Sequence, residues 1–148
     1  MKFRKIALII ITLSVSTLVH AQQNEKVQLE HSVTSFFDAL SNRDSIRLRK
    51  FCTPAITLVE NGSVWNADTL ILKAITLNTS ADFKRANNFR FINTTVNGKT
   101  GWSTYNLHSA ITRNGKQVNL HWIETIVAVK EREQWKIQVL HSTLIKRD

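Results

Sequence analysis

The fold is decided by residues 96–146, which read VNGKTGWSTYNLHSAITRNGKQVNLHWIETIVAVKEREQWKIQVLHSTLIK. This stretch contains three long runs with the alternation of apolar and polar residues that is typical of strands. Asn114-Gly115 separates the first two runs and is the strongest short signal for a β-hairpin. The charged tip Glu131-Arg132-Glu133-Gln134 separates the second and third. Runs of a dozen or more residues exceed the usual strand length of about 5 to 6, so we predict a strongly bent antiparallel sheet that other elements must cover.

The residues before this sheet predict helices that cover it. Residues 25–41 carry apolar side chains at the three-and-four spacing of an amphipathic helix. Asp44 is a suitable N-cap for a short second helix, and Asn66 is suitable for a third. Asn61-Gly62 is a hairpin turn between two short strands. With residues 87–96 as a further strand, this order predicts an α+β fold in which three helices pack on one face of the sheet.

Residues 1–21 have the features of a signal peptide that is cleaved. A basic start is followed by an apolar run over residues 6–19 and by Val19-His20-Ala21, a suitable cleavage site. The alternative is a retained N-terminal anchor, but the run has only 14 residues, and a membrane-spanning helix needs about 20. We therefore expect export to the periplasm or secretion, no membrane association after cleavage, and one mature domain of residues 22–148.

The charge of the chain argues against a nucleic-acid partner. Without residues 1–21 the chain keeps 17 Lys and Arg against 11 Asp and Glu. These basic residues are scattered and form no long block, and no nucleic-acid-binding motif is present. Cys52 is the only cysteine, so no internal disulfide can form, and no activating base lies near it in sequence. We expect this thiol to be buried and inert.

The Asn114-Gly115 turn fixes which residues face each other across the first long hairpin. Counting outward from it places Leu107 opposite Trp122 and Tyr105 opposite Glu124. Directly opposed residues share one face of a sheet. We expect this face to be the one that the helices cover.

The next hairpin extends the row of opposed residues. With its turn centred on the charged tip, Glu124 opposes His141, and this register keeps the apolar residues of both strands on one face. Tyr105, Glu124 and His141 are then predicted to lie side by side on three adjacent strands. Arg90 extends the row if Asn97-Gly98 is a tight two-residue turn.

Tyr105, Glu124 and His141 form the candidate catalytic set. A buried carboxylate next to an imidazole can act as an acid–base pair, and a phenol beside them can donate to a developing oxyanion. The same three residues can instead contact a bound ligand. The structural alternative is that Glu124 and His141 satisfy each other, because buried charges are normally paired.

Four further residues are candidate ligand contacts at the wall of a pocket between helices and sheet: Trp65, Arg90, Leu107 and Trp122. The alternative is that the two tryptophans are ordinary core residues. An aromatic side chain at an inward-facing strand position more often packs in the core than contacts a ligand.

The opposite face of the hairpins, here called the outer face, mixes polar and apolar residues. His108 opposes His121 on it, but two histidines without a third ligand at suitable spacing make a weak metal site. We therefore expect neither a metal nor a cofactor. Trp102 and Ile123 lie on the same face, and a partly apolar exposed face is typical of a subunit interface. This predicts a homodimer formed through the outer face.

Three segments of the closing strands resemble a known superfamily. Glu124-Thr125, Trp135-Lys136-Ile137 and His141-Ser142 are similar to the closing strands of nuclear-transport-factor-2-like proteins. The similarity is greatest to the SnoaL-like subgroup of unknown function and to the association domain of calmodulin-dependent kinase. The resemblance implies a cone-shaped α+β barrel, with a bent sheet around a long helix, a pocket at the wide end and dimerisation through the sheet. Members include ketosteroid isomerases, epoxide hydrolases, polyketide cyclases, dehydratases and non-enzymatic binding modules, so the fold does not fix the function.

The chain departs from the catalytic members of the superfamily. It has no counterpart to the Asp-Arg-Asp arrangement of the epoxide hydrolases or to the isomerase combination of an Asp base with a Tyr and a protonated Asp. In the kinase association domain an Arg after the Glu-Thr pair lines the pocket, whereas this chain has Ile126. Neither a reaction nor that ligand preference carries over.

We therefore expect an exported domain that binds a partly apolar small molecule inside its cone. The alternative is a cofactor-independent lyase, isomerase or hydrolase, in which His141 or Glu124 moves a proton and Tyr105 stabilises the oxyanion. A second alternative is a non-catalytic assembly module with a collapsed pocket.

Overall fold

The computed structural model describes the backbone of residues 3–148 and the side chains of residues 22–148. The predicted signal peptide therefore lies outside the residues whose side chains are described. The elements, in chain order, are α1 (Phe3–Ser41), α2 (Ser45–Lys50), β1 (Cys52–Glu60), β2 (Ser63–Trp65), α3 (Ala67–Ile71) with a π-helical turn after it (Leu72–Thr76), β3 (Lys84–Asn97), β4 (Thr100–Arg113), β5 (Lys116–Glu131) and β6 (Gln134–Arg147). None of the helices in the described part combines the length and apolar character that crossing a membrane requires.

The two predicted N-caps are confirmed. Asp44 accepts a hydrogen bond from the Arg47 backbone N–H at 2.8 Å at the start of α2. Asn66 accepts one from the Thr69 backbone N–H at 2.9 Å at the start of α3. Each side chain satisfies a backbone donor that the first helical turn leaves unpaired. The caps fix where the two short helices start, and hence where β1 and α3 meet the sheet.

The six strands form one open, mixed sheet in the order β2-β1-β6-β5-β4-β3. The predicted α+β cone with three helices on a bent sheet is confirmed. The sheet is not antiparallel throughout, because β1 runs parallel to β6 while every other neighbouring pair is antiparallel. The last strand of the closing meander thus meets the first strand of the chain, which brings β1 residues next to the predicted row.

Helix α1 supplies the main cover of the sheet. Its predicted apolar face is buried, with exposed fractions of 5% or less for Leu29, Val33, Phe36, Phe37 and Leu40. The helix comes very close to β4, because a Cβ added to Gly101 would collide with Leu29 Cδ1. A glycine at this strand position therefore allows α1 to pack directly on the sheet.

The register of the β4–β5 hairpin is as predicted. Leu107 pairs with Trp122, and Tyr105 pairs with Glu124. Asn114 has a φ of 51° and Gly115 a φ of 71°, the left-handed conformation that the favoured two-residue hairpin turn requires. The two-residue turn therefore sets which residues pair across the hairpin, even at the distance of Tyr105 and Glu124.

The predicted placement of His141 beside Glu124 is wrong. Ala128 pairs with Ile137 as expected, but Val127 pairs with Val139, so Gln138 is an extra residue in β6. Such a β-bulge moves every later residue of the strand by one position and hence to the other face. Ser142 consequently opposes Glu124, while His141 opposes Thr125 and is exposed on the outer face.

The predicted placement of Arg90 is also wrong. The turn between β3 and β4 is Gly98-Lys99, and Ile92 is an extra residue between the pairs Phe91–Tyr105 and Asn93–Thr104. These two departures from a simple hairpin place Phe91 beside Tyr105. Arg90 instead pairs with Asn106 and is exposed on the outer face.

Candidate functional site: a buried carboxyl group at a small cavity

A row of five directly paired residues crosses the helix-covered face of the sheet. Successive strands β1, β6, β5, β4 and β3 contribute Glu60, Ser142, Glu124, Tyr105 and Phe91. The sequence predicted the Tyr105–Glu124 pair correctly, but it supplied the wrong residue on each side of that pair. The row therefore carries two carboxyl groups with a serine hydroxyl between them.

A cavity of about 150 Å³ lies between this part of the sheet and the helices. Trp65, Trp122 and Glu124 are among the residues that line it. Leu107 and Tyr105 are both fully buried in the core and are not among the lining residues. Most of the wall is apolar, and the helices and the β1 and β6 strands contribute these side chains: Phe36, Phe37, Leu40, Leu58, Leu70, Ala74 and Leu140.

Glu124 is the most confined polar group at this cavity. Its side chain is 3% exposed, and its Oε1 accepts a hydrogen bond from Ser142 Oγ at 2.8 Å. Among the residues with described side chains, its Oε2 has no hydrogen-bond partner, and neither does the hydroxyl of Tyr105. The Tyr105 hydroxyl is near enough to lower the pKa of Glu124, but it does not reach hydrogen-bond geometry. An unpaired buried polar atom is unfavourable, and a ligand that supplies the missing partner would relieve that cost.

Burial raises the pKa of Glu124 from 4.5 to about 7, because an apolar environment disfavours the charged form. The hydrogen bond from Ser142, the nearby Tyr105 hydroxyl and the positive charge of Arg85 oppose this shift, while Glu60 adds to it. At neutral pH the carboxyl group is therefore present in both protonation states. It can donate a hydrogen bond in one state and accept one in the other.

Glu60 lies at the half-buried end of the row. Burial raises its pKa from 4.5, while the nearby Ser142 hydroxyl and the charge of Arg85 oppose the shift. The Ser142 hydroxyl has a single proton, and it donates that proton to Glu124. That proton is therefore not available to Glu60 in the same arrangement.

Arg85 is a candidate site residue that the sequence reasoning missed. It is half-buried and lines the cavity, with its guanidinium carbon 5.6 Å from the ring centre of Phe37 and 5.7 Å from that of Trp122. Burial lowers its pKa, and the negative charges of Glu124 and Glu60 oppose that shift. Residue 85 was missed because the predicted strand started at residue 87. The alternation of faces along the strand could have shown it, because Arg85 lies on the same face as Phe89 and Phe91.

The histidine pair on the outer face is a stacked pair. The rings of His108 and His121 lie 4.0 Å apart and nearly parallel, and His121 Nε2 lies 2.9 Å from Asn106 Oδ1. Burial, then the nearby His108 and Arg90, lower the pKa of His121 from 6.5. Within the described residues no three His, Cys, Asp or Glu side chains are grouped as metal ligands.

The SnoaL-like domain family model matches residues 29–145. The chain belongs to the SnoaL-like family. The match spans α1 from its first buried leucine through nearly all of β6, so it includes every residue of the row. The chain matches no curated protein sequence.

Solved structures share the SnoaL-like fold with this chain. A conserved protein from Planctomyces limnophilus has a TM-score of 0.74 at 10% identity, covering 83% of this chain and 99% of that one. A ketosteroid isomerase-like protein from Erwinia carotovora atroseptica has a TM-score of 0.67 at 12% identity, covering 82% of this chain and 97% of that one. A candidate Ca/calmodulin-dependent kinase II association domain from Exiguobacterium sibiricum has a TM-score of 0.67 at 10% identity, covering 82% of this chain and 94% of that one. At these identities the likeness concerns the fold alone.

Proposed function

We propose that this chain is an exported small-molecule-binding domain of the SnoaL-like type, with its ligand held between the helices and the sheet. Export rests on the basic and apolar pattern of residues 1–21. Ligand binding rests on the cavity of about 150 Å³. Pockets that hold small molecules have mostly apolar walls and a few well-placed polar groups, and this cavity has that composition.

The observation that carries the proposal is the unpaired Oε2 of Glu124 in a side chain that is 3% exposed. Purely structural carboxyl groups are normally satisfied by their neighbours. Glu124 is satisfied on one oxygen only, by Ser142. A ligand with a hydrogen-bond donor or acceptor at this position would complete the set, while its apolar part would pack against Trp65 and Trp122.

A ligand screen by NMR tests this proposal. Small acids, steroids and lipid fragments are added to the protein, and the indole N–H signals of Trp65 and Trp122 report binding. We expect a binder whose affinity falls by up to about tenfold in Glu124→Leu, since leucine cannot form a hydrogen bond and such a bond contributes about 0.5–1.5 kcal/mol. His141→Ala is the matched control, because that side chain lies on the outer face. If no compound shifts either indole signal, the pocket function is wrong and the assembly role is favoured.

Acid–base catalysis is the second candidate function, and the pKa of about 7 for Glu124 favours it. A general acid or base works best when its pKa lies near the operating pH. Glu124 is the candidate acid or base, because it lines the cavity and Tyr105 does not. Burial and the negative charge of Glu124 raise the pKa of Tyr105, so its hydroxyl stays protonated. His141 has no part in this version, since it lies on the other face of the sheet.

Proton exchange separates catalysis from simple binding. Carbonyl compounds found in the ligand screen are incubated with the protein in D₂O, and loss of their α-proton NMR signals is followed with time. Catalysis predicts exchange whose pH profile has an inflection near 7 and that is lost in Glu124→Gln. If a compound binds but its α-protons exchange no faster than without the protein, catalysis is excluded and only the binding function remains.

A further inference from the structure

Arg85 lacks a directly paired carboxylate at the cavity, among the residues that the structure describes. Two of its donors are used, by Asn87 Oδ1 with Nε at 3.0 Å and by Ser109 Oγ with Nη2 at 3.3 Å. Both acceptors are neutral. Among the described residues Arg85 forms no ion pair with a carboxylate. A guanidinium group has five N–H donors, so most of those on Arg85, including both on Nη1, have no acceptor in the described part of the chain.

The guanidinium group is also held in place. It lies against the aromatic rings of Phe37 and Trp122, at 5.6 and 5.7 Å. Its partner Asn87 is oriented from α1, because Asn87 Nδ2 donates to Ser41 Oγ at 2.9 Å. Aromatic rings on a guanidinium stabilise its charge but leave its edge free. A fixed guanidinium edge with unused donors is suited to bind a planar anion through two parallel hydrogen bonds.

The groups that face Arg85 decide whether an anion is tolerated. Glu60 on β1, Glu124 on β5 and Tyr105 on β4 are the titratable groups near it, and the helices line the cavity with apolar side chains only. Lys73 is exposed outside the cavity, 5.3 Å from the ring centre of Trp65. When both carboxyl groups are protonated the cavity has one positive charge, and when both are ionised it has one negative charge. Anion binding is therefore favoured where the carboxyl groups are protonated.

We infer that the ligand of this cavity is a small organic carboxylate with an apolar body, bound by Arg85 through its carboxylate group and by protonated Glu124 through a hydrogen bond. The size agrees, since a cavity of about 150 Å³ in another protein accommodates benzene. The inference rests on the proposed binding function and adds the charge of the ligand to it. It also implies that binding takes up a proton near pH 7, because the bound anion favours the protonated form of Glu124.

Paired probes of equal shape and different charge test the inference. Benzoate and benzamide are titrated separately into the protein by calorimetry at pH 6 and pH 8. We expect benzoate to bind at least about tenfold more tightly than benzamide at pH 6, and to lose most of this advantage at pH 8. Repeating the benzoate titration near pH 7 in buffers of different ionisation enthalpy should reveal uptake of part of a proton, and Glu124→Gln should abolish that uptake.

Variants of Arg85 assign the effect to its charge. Arg85→Gln should weaken benzoate binding at least about tenfold and leave benzamide unchanged, while Arg85→Lys should retain part of the benzoate affinity. Circular dichroism and thermal unfolding show whether each variant folds, and the comparison of the two probes on the unmodified protein does not depend on any variant.

Three results would overturn the inference. They are benzamide binding as tightly as benzoate, benzoate binding that is insensitive to Arg85→Gln, and the absence of binding by both probes. In each case the NMR screen, extended to neutral compounds, still tests separately whether the cavity binds any ligand. A neutral binder would retain the pocket function without a carboxylate ligand, and the absence of any binder would remove both.

Discussion

Glu124 is the side chain on which the chemistry of the cavity depends. It is placed by pairing with Tyr105 on one side and Ser142 on the other, and burial brings its pKa to about 7. A raised folded-state pKa means that the folded protein binds the proton more tightly than the unfolded chain. The stabilising contribution of this proton is fully present below about pH 4.5 and is lost as the pH rises to about 7.

The first prediction concerns this pH dependence. Between pH 5 and pH 8 the free energy of unfolding of the unmodified protein should fall by about 2–3 kcal/mol relative to Glu124→Gln, because the glutamine never ionises. Urea unfolding of both proteins at the two pH values measures the difference. Glu131→Gln is the control, since that side chain is exposed on the same strand. Parallel pH profiles for Glu124→Gln and the unmodified protein would contradict a raised pKa.

At the scale of residues, sequence reasoning predicted Tyr105 and Glu124 because a defined turn lies between their strands. It failed for His141 and Arg90 because each lies beyond a bulge. The adjacent apolar residues Val139-Leu140 break the alternation of β6 and were the available signal. Nothing in the sequence showed that Glu60 reaches the row, because its pairing with Ser142 joins strands that are far apart in the chain.

The bulge in β6 is the element-scale feature that selects the neighbour of Glu124. Gln138 is the extra residue, and it is exposed. Residues before it alternate with one phase and residues after it with the other. The strand therefore buries Ile137 and Leu140, which a regular strand could not place on the same face.

The second prediction follows from this geometry. Deleting Gln138 should remove the bulge and leave Ser142 opposite Glu124. Without this residue, the pairs Ala128–Ile137 and Val127–Val139 follow one another directly in a single register. Deleting Leu140 should place His141 in a core position and cost about 2 kcal/mol or more. Thermal unfolding and backbone NOEs between Glu124 and Ser142 measure the two outcomes. Equal destabilisation by both deletions would contradict the role given to Gln138.

A second element-scale contact ties the loop before β3 to the β4–β5 turn. Asp82 accepts hydrogen bonds from the backbone N–H groups of Asn114 at 2.8 Å and Gly115 at 2.7 Å, and Ser80 Oγ also donates to it. The Ser80 hydrogen bond, then those from Gly115 and Asn114, lowers the pKa of Asp82 from 3.8 to about 2. A lowered pKa means that the contribution of this contact is present above about pH 3.8 and is lost as the pH falls through about 2.

The third prediction tests this contact. Asp82→Ala should increase the hydrogen-exchange rate of the Gly115 amide most, because it loses its acceptor, and that of Asn114 less, because Ser80 Oγ also accepts from it at 3.0 Å. Amides in the middle of β4 and β5 should keep their protection. Hydrogen exchange followed by NMR measures these rates. Asp38→Ala, at an exposed position on α1, is the control. Unchanged exchange at the turn would show that water replaces the carboxylate without loss.

At the scale of the whole molecule, the outer face remains the predicted site of dimerisation. Trp102 is 40% exposed, Ile123 is 39% exposed and Ile92 is 55% exposed. Large apolar side chains on a sheet face that no helix covers are typical of an interface. The resemblance in the closing strands implied a dimer through the same surface.

The fourth prediction is that Trp102→Glu weakens this dimer by about thirtyfold or more, since burial of a charge replaces an aromatic contact. Light scattering coupled to size-exclusion chromatography over a range of concentrations measures it. Val64→Glu, which changes a side chain 74% exposed on β2, should leave the association unchanged. A strictly monomeric unmodified protein at high concentration would contradict the dimer itself.

The overall architecture was predictable because local signals agreed with one another. The Asp44 and Asn66 caps, the amphipathic face of α1 and the Asn114-Gly115 turn each indicated one element, and their order allowed few arrangements. The parallel pairing of β1 with β6 was not predictable in this way. It depends on how the finished sheet brings its first and last strands together, and no local pattern records that.

The bulge at Gln138 has a consequence for the comparison of distant relatives. A strand that accommodates one surplus residue on its exposed side keeps all of its inward contacts, so two chains can differ in length there and keep the same cavity. Alignment by counting from the preceding turn would then equate His141 of one chain with an inward residue of another. At identities of 10 to 12% with the solved neighbours, residues should be matched by the strand face they occupy, with the gap placed at the bulge.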